Sequence, residues 1–268
     1  MLENSAGPDR TAGALLVVLD EFLARRLPHR RLARLAGLLI LANSAPPARQ
    51  LQRTARYLEE CQGSDGGWVD CEDTVWCSLV VGKTRGRSAL TIKRAISWLA
   101  SERAEDAWGY CRRDAASIPL TSQVRLLVPE LRNARSGEWL RRAWAADFES
   151  PVQLSYKAAW FLVARGNLPE DDALASKTAA FLLADQRASG AWGPWKTHPA
   201  PDDCFATGLA MWALATKVRG EKATRALRKA VAWCSANCLN NWLFPTHYIE
   251  EGSAWVLLGW KAALGRVR

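Results

Sequence analysis

A short segment recurs along this chain of 268 residues with its internal spacing preserved. The first copy pairs Gln62 with Trp68, and the second pairs Gln186 with Trp192. In both copies the glutamine follows a leucine by four residues and precedes the tryptophan by six. Such a fixed spacing is typical of folds that stack one supersecondary unit many times.

Three further segments keep part of this spacing. One has Glu102 in place of glutamine and ends at Trp108. Another ends at Trp242 and has Ala236 at the glutamine position, and a third is recognisable only near Trp144. We therefore interpret the chain as a series of related units.

Each unit reads as a helical hairpin. The first helix of each hairpin carries Lys and Arg on one face, which predicts a position in the outer ring. These helices are predicted at residues 53–61, 91–101, 174–183 and 224–235. The second helix is apolar on nearly all faces, which predicts that it is buried on both sides. These helices are predicted at residues 74–81, 122–128, 152–163, 205–215 and 253–263.

An N-terminal pair at residues 12–26 and 29–43 raises the count to six hairpins. We expect an all-α fold, an (α/α)6 toroid with inner and outer helix rings, in which residues 1–50 complete the ring. Gly and Pro punctuate the chain without a long linker, so residues 1–268 are predicted to form a single domain.

Composition narrows the class of protein. The apolar run 14–19 is too short to span a bilayer, and we expect a cytoplasmic protein. Seven cysteines without a CxxC pair favour reduced thiols, and three histidines without paired spacing give no support to a structural metal site. The net charge of +9 favours anionic partners, but no nucleic-acid motif is present and we expect no nucleic acid.

Basic residues are densest between Arg25 and Arg34. This cluster is either a solvated helix face or a peripheral contact with a membrane surface. Fourteen tryptophans are far more than usual and indicate either packing within the repeats or an apolar cavity.

Over residues 50–265 the repeats resemble the QW repeats of the α/α-toroid superfamily. Its members include squalene and diterpene cyclases and the β subunits of protein prenyltransferases. The resemblance implies the toroid fold, with the Gln amide bonding a neighbouring helix end while the indole covers it. The repeat identifies a fold and not a reaction.

The loop Asp70-Cys71-Glu72-Asp73-Thr74 is similar to the Asp-x-Asp-Asp-Thr motif of class II terpene cyclases. The resemblance implies catalytic roles: Glu72 would protonate an alkene or epoxide of an isoprenoid, and Asp70 and Asp73 would support it. Glu in place of the middle Asp adds a methylene and shifts the proton. Helix capping alone would produce the same letters, so both interpretations stay open.

The other loops and inner helices supply candidate substrate-binding residues. They are Trp76, Gln153, Tyr156, Trp212, His247, Glu251 and Trp255. The acids Glu250 and Glu251 would hold a water, pair with arginine or cap a helix. Protonation requires no cofactor, and Mg²⁺ would enter only with a diphosphate substrate.

An isoprenoid cyclase would be classed as an isomerase or a lyase. Two alternatives to this function remain. Asp203 and Cys204 resemble the zinc segment of protein prenyltransferases, with His247 as a displaced third ligand, although capping by Asp203 explains the same residues. The other alternative is a non-catalytic toroid that binds a lipid or peptide, with its cavity too small or blocked by tryptophan. For the cyclase, we expect a homodimer or a partner chain to cover the mouth of the ring, which a second toroid usually closes in class II terpene cyclases.

Overall fold

A computed structural model describes residues 6–165, 172–195, 198–199, 202–246 and 248–267. These ranges contain twelve α-helices. They are α1 (Ala6–Ala24), α2 (His29–Leu41), α3 (Ala48–Glu60), α4 (Cys71–Arg85), α5 (Leu90–Ser101), α6 (Ile118–Leu127), α7 (Ala134–Phe148), α8 (Ser155–Ala164), α9 (Asp172–Asp185), α10 (Cys204–Lys217), α11 (Glu221–Asn237) and α12 (Ile249–Val267). The all-α prediction is confirmed. None of these helices is long and apolar enough to cross a membrane.

The even-numbered helices form a closed inner ring. Each contacts the next, from α2 through α4, α6, α8 and α10 to α12, and α12 contacts α2 again. The odd-numbered helices lie outside them; each contacts at least one inner helix and is followed along the chain by an inner helix. The predicted toroid of six hairpins is therefore confirmed, and the N-terminal hairpin α1–α2 closes it against α12.

Burial explains which helices are inside. Helix α10 reads CFATGLAMWALATK, and ten of its residues are buried around the whole circumference. Outer helix α3 instead buries one narrow face that includes Ala55 and Leu58, and it exposes arginines. The closest inner contact depends on two glycines. A Cβ atom on Gly208 would lie 2.2 Å from the carbonyl oxygen of Trp255, and one on Gly259 would lie 2.4 Å from that of Gly208.

The two best repeats make the same contacts. The indole N–H of Trp68 donates to the Leu58 carbonyl at 2.9 Å, and Gln62 donates to the carbonyls of Gly66 and Thr91 at 2.8 and 2.9 Å. In the second copy, Trp192 and Gln186 repeat this pattern at 2.8 Å for each bond. Each glutamine thus ties the end of one outer helix to the next outer helix.

One of the weaker copies, the one before α12, differs from the sequence interpretation. The backbone N–H of Trp68 donates to the hydroxyl of Thr74 in the following inner helix, and Trp108 and Trp192 do the same with their own threonines. Before α12 this place is taken by Phe244, whose N–H donates to Ser253 at 2.8 Å. The assignment to Trp242 was wrong by two residues, because spacing was counted from a unit that has no glutamine.

Candidate active site

A cavity of about 430 Å³ opens where the inner helices begin, and all six of them contribute to its wall. It is lined by Arg34, Leu38, Glu72, Trp76, Tyr110, Ser117, Pro119, Gln123, Tyr156, Lys157, Trp160, Phe205, Glu251 and Trp255. This volume lies within the range of about 300–1,000 Å³ that is usual for small-molecule sites.

Aromatic rings make up much of the wall. Trp255 lies at their centre, with its ring centroid 6.0 Å from Trp76, 5.6 Å from Trp160 and 5.2 Å from Phe205. All three pairs meet at steep angles, between 77° and 89°. Aromatic faces attract cations, so this wall is suited to a positively charged species in an apolar space.

The first turn of α4 is fixed by its cap. The side chain of Asp70 accepts a hydrogen bond from the backbone N–H of Asp73 at 2.8 Å. The hydroxyl of Thr74 donates to the Asp70 carbonyl at 2.8 Å and accepts from the Trp68 N–H at 2.9 Å. This geometry places Glu72, between the capping residues, in the cavity wall.

The other two acids of the loop lie outside the cavity lining. Arg30 donates to Asp73 Oδ1 at 2.7 Å and to Asp70 Oδ2 at 2.5 Å. Burial acts to raise the pKa of Asp73, but contacts with His29 and Arg30 outweigh it and lower that pKa. His29 Nε2 is 3.6 Å from Asp73 Oδ2, too long for a hydrogen bond, so Arg30 is the principal partner.

Glu72 has a different environment. Gln123 Nε2 donates to Glu72 Oε1 at 3.1 Å, and Arg34 donates to Oε2. Gln123 in turn accepts the indole N–H of Trp76 at 2.8 Å, which fixes the orientation of its amide. Burial raises the pKa of Glu72, and the nearby charges of Asp70 and Glu251 add to this, against the opposing effects of Arg34 and Gln123.

Arginines of α2 pair with the acids of α12 as well. Arg34 donates to Glu251 at 2.8 Å, and Arg31 donates to Glu250 at 2.8 Å. Of the three roles left open for these acids, the structure shows pairing with arginine. In the basic cluster, Arg30, Arg31 and Arg34 are therefore engaged with carboxylates, while Arg25 and Arg26 are exposed.

The structure brings together some of the predicted substrate-binding residues. Tyr156, Trp76, Glu251 and Trp255 line the same cavity as Glu72. They therefore remain candidates for contact with a substrate.

The remaining candidates lie elsewhere. Gln153 donates to the carbonyls of Phe148 and Ser150 at 3.0 and 2.7 Å and is not part of the cavity lining. Trp212 lines a second cavity, of about 480 Å³, at the opposite end of the ring. His247 lies outside the described residues.

Sequence reasoning missed Arg34, Gln123 and Trp160 as site residues. Arg34 and Gln123 lie 38 and 51 positions from Glu72 in the chain, so their meeting depends on ring closure. The only available signal was helical spacing, which places Trp160 one turn after Tyr156 on the inner helix α8.

The zinc interpretation gains no support from the described residues. Asp203 caps α10 by accepting the Ala206 N–H at 2.7 Å, and burial raises the pKa of Cys204 to about 12. The third proposed ligand, His247, lies outside the described residues. Within the ranges the structure describes, no group of three His, Cys, Asp or Glu residues is placed to hold a metal ion.

No protein-family model and no curated protein sequence matches the chain. Solved structures do match it. A variant of the type II terpene cyclase MstE from Scytonema, in complex with geranylgeranyl dihydroxybenzoate, aligns with a TM-score of 0.80 and 14% identity over 99% of this chain and 100% of that chain.

The ent-copalyl diphosphate synthase from Streptomyces platensis aligns with a TM-score of 0.59 and 17% identity over 88% of this chain and 50% of that chain. A glycosidase in complex with glucose aligns with a TM-score of 0.56 and 13% identity over 98% of each chain. The chain thus has the toroid fold found in terpene cyclases. Because a glycosidase shares this fold, the reaction has to be argued from the site.

Proposed function

We propose that this protein is an acid-initiated isoprenoid cyclase of the class II terpene cyclase type, with Glu72 as the proton donor. One observation carries the proposal: the carboxyl of Glu72 lies in the wall of an aromatic cavity, and burial raises its pKa. A raised pKa keeps more of the acid protonated near neutral pH, as a proton donor requires.

The proposed reaction begins with proton transfer from Glu72, which lines the cavity. The π electrons of a terminal alkene take the Glu72 proton, or an epoxide oxygen takes it and the C–O bond opens. Glu72 becomes a carboxylate beside Arg34, and a carbocation forms on the substrate. An internal alkene then attacks that carbon to form the ring bond, and loss of a proton to a base or to water ends the sequence.

Trp76, Trp160 and Trp255 support the cationic intermediates. Their rings surround the space next to Glu72, and a cation over an indole face gains about 0.5–2 kcal/mol, more when water is excluded. Asp70 and Asp73 have a supporting role in this proposal, because they pair with Arg30 and fix the turn that carries Glu72. Protonation by a carboxylic acid uses no metal; Mg²⁺ would only accompany a diphosphate.

The test is turnover of polyprenyl substrates. Purified protein is incubated with C15 to C30 polyprenyl alcohols, diphosphates with Mg²⁺, and prenylated arenes. Geranylgeranyl dihydroxybenzoate is included because the MstE neighbour was solved with it. Products with the substrate's mass and fewer double bonds, detected by mass spectrometry and NMR, are the expected result.

Glu72→Gln is the decisive variant, and Glu221→Gln is its matched control, because the Glu221 side chain on the outer helix α11 is 82% exposed. We expect the control to retain activity and Glu72→Gln to lose it. Equal turnover by Glu72→Gln and wild type would refute the assignment of the acid. A non-catalytic lipid-binding ring predicts tight binding of a polyprenyl chain with no product from either protein.

A further inference from the structure

Arg34 lies between two carboxylates that belong to different helices. Its Nη2 donates to Glu72 Oε2 on α4, and its Nη1 donates to Glu251 Oε1 on α12 at 2.8 Å. Its Nε–H is buried and has no hydrogen-bond partner within the described part of the chain. A buried donor left unpaired indicates that this arrangement does not satisfy the guanidinium completely.

Among the described residues, the other cations near Glu72 pair with carboxylates other than Glu72. Arg30 is engaged by Asp70 and Asp73, and Lys157 on α8 pairs with Asp147 at 2.7 Å. His29 lies beside Asp73 as well, and Tyr110 and Gln123 face Glu72 from the α6 side as neutral groups. Arg34 therefore balances one of two neighbouring negative charges, those of Glu72 and Glu251.

Both oxygens of Glu72 accept hydrogen bonds in this arrangement, which is the geometry of a carboxylate. Gln123 can only donate to Oε1, because its own oxygen receives the indole N–H of Trp76. A proton on Oε2 competes with the Arg34 Nη2 hydrogen for the same oxygen, and a neutral carboxyl group holds a guanidinium less strongly than a carboxylate does. Protonation of Glu72 therefore weakens its contact with Arg34, whose other nitrogen is bonded to Glu251.

We propose that Glu251 is a positioning residue that sets the acidity of Glu72 by competing with it for Arg34. Glu251 is suited to keep the guanidinium because its side chain is 30% exposed against 15% for Glu72, so water stabilises its charge better. When Arg34 turns to Glu251, Glu72 is free to take the proton. The inference rests on the proposed function, since it concerns the protonation of Glu72, the proposed proton donor.

The test compares the pH dependence of cyclisation in two variants with opposite expected shifts. In Glu251→Gln, Arg34 is left to Glu72 alone, which favours the carboxylate and moves the alkaline fall of kcat/KM down by roughly 1 pH unit. In Arg34→Gln, the carboxylate loses its cation and the same fall moves up by a similar amount. Glu251→Asp should restore most of the wild-type profile.

Glu250→Gln is the matched control, because Glu250 makes an equivalent pair with Arg31 between the same two helices but does not line the cavity. Its pH profile should equal that of the wild type. Shifts of both test variants in one direction, or no shift in either, would overturn the competition.

A second readout separates this inference from the proposed function. The carboxyl C=O infrared band that disappears in Glu72→Gln reports the protonation of Glu72 without any substrate. Its midpoint should move down in Glu251→Gln and up in Arg34→Gln. If no substrate is cyclised but these midpoints move as expected, the competition stands and the cyclase assignment fails. Unmoved midpoints in folded variants refute the competition alone.

Discussion

Two inner helices begin with nearly the same five residues. Helix α4 opens with the segment 70–74, Asp-Cys-Glu-Asp-Thr, and α10 opens with the segment 203–207, Asp-Cys-Phe-Ala-Thr. In each, the aspartate caps the helix by accepting the backbone N–H three residues later. The two segments differ only at their third and fourth positions, so they separate what the fold needs from what the cavity uses.

The shared positions have structural roles in both places. The hydroxyls of Thr74 and Thr207 accept the backbone N–H of Trp68 and Trp192, at 2.9 and 3.0 Å. The shared cysteines are buried, and burial raises the pKa of Cys71 and of Cys204 to about 12. Asp and Thr in this motif therefore have a use in the fold that involves no catalysis.

The third position points into the cavity in both helices, as Glu72 and as Phe205. The fourth position is Asp73 in one helix, where it meets Arg30, and Ala206 in the other. The comparison shows that the residues of this five-residue motif have two different roles. Its outer residues build a helix start, and its third residue selects what the cavity wall presents.

The largest effect is expected at the third position. Glu72→Gln should reduce turnover by about 10²–10⁴-fold, the usual contribution of a general acid. Phe205→Leu, at the equivalent position of α10, keeps an apolar wall and should cost far less. Product formation per minute in matched assays gives both values, and similar losses in the two variants would contradict a special role for Glu72.

The stability of Glu72→Gln sharpens the same contrast. The pKa of Glu72 is raised by burial, so its stabilising effect is complete below the unfolded-state pKa and is lost as pH rises through the folded-state pKa. At neutral pH the Gln variant should therefore be at least as stable as the wild type. A lower melting temperature at pH 7 would mean that Glu72 serves the fold.

Removing the shared hydroxyls should have the next largest effect. Thr74→Val and Thr207→Val each leave a buried tryptophan N–H unpaired, which costs about 1–3 kcal/mol of unfolding free energy. The two losses should be similar, because the contacts are alike. Thr216→Val, at an exposed site on α10, is the control, and urea denaturation measures all three.

The caps should matter less than the hydroxyls. Asp203→Ala removes one side-chain cap and should cost about 1 kcal/mol. Asp70→Ala removes the same cap and also the bond from Arg30, so its cost should be somewhat greater. If Asp203→Ala proved the more damaging in denaturation experiments, the Arg30 contact would have no net value.

The smallest effect is pH-dependent and belongs to the fourth position. The pKa of Asp73 is lowered, so the stability it contributes is present above the unfolded-state pKa, about 3.9, and is lost as pH falls through the folded-state pKa. Asp73→Asn should therefore melt below the wild type at pH 7, with the gap closing under acid conditions. A gap that is constant with pH would assign the loss to packing.

The fold was predictable because its signals are local and repeated. Apolar inner helices and basic outer helices alternate within each hairpin, and the contacts of Gln62 and Gln186 recur with the same spacing. In the unit that has no glutamine, the spacing predicted the wrong residue: Phe244, and not Trp242, makes the backbone contact with the following inner helix.

The site was predictable only in part. Glu72 was found because the letters around it resemble a motif, and Glu251 because it opens an inner helix. Arg34 was placed in a basic cluster without a partner, because a sequence does not show which helix faces it across a closed ring. The carboxylates of α4 and α12 approach α2 only after the chain has returned to its start.

The two cavities lie at opposite ends of the ring, and Trp160 and Trp212 meet edge to face between them, with centroids 6.4 Å apart. Among the described residues, this pair of rings therefore lies between the two cavities. A molecule that cannot pass between these rings leaves the cavity of Glu72 on the side where it entered. If the protein is the proposed cyclase, its product and fresh substrate would use the same opening, and inhibition by product would depend on the loops that form that opening.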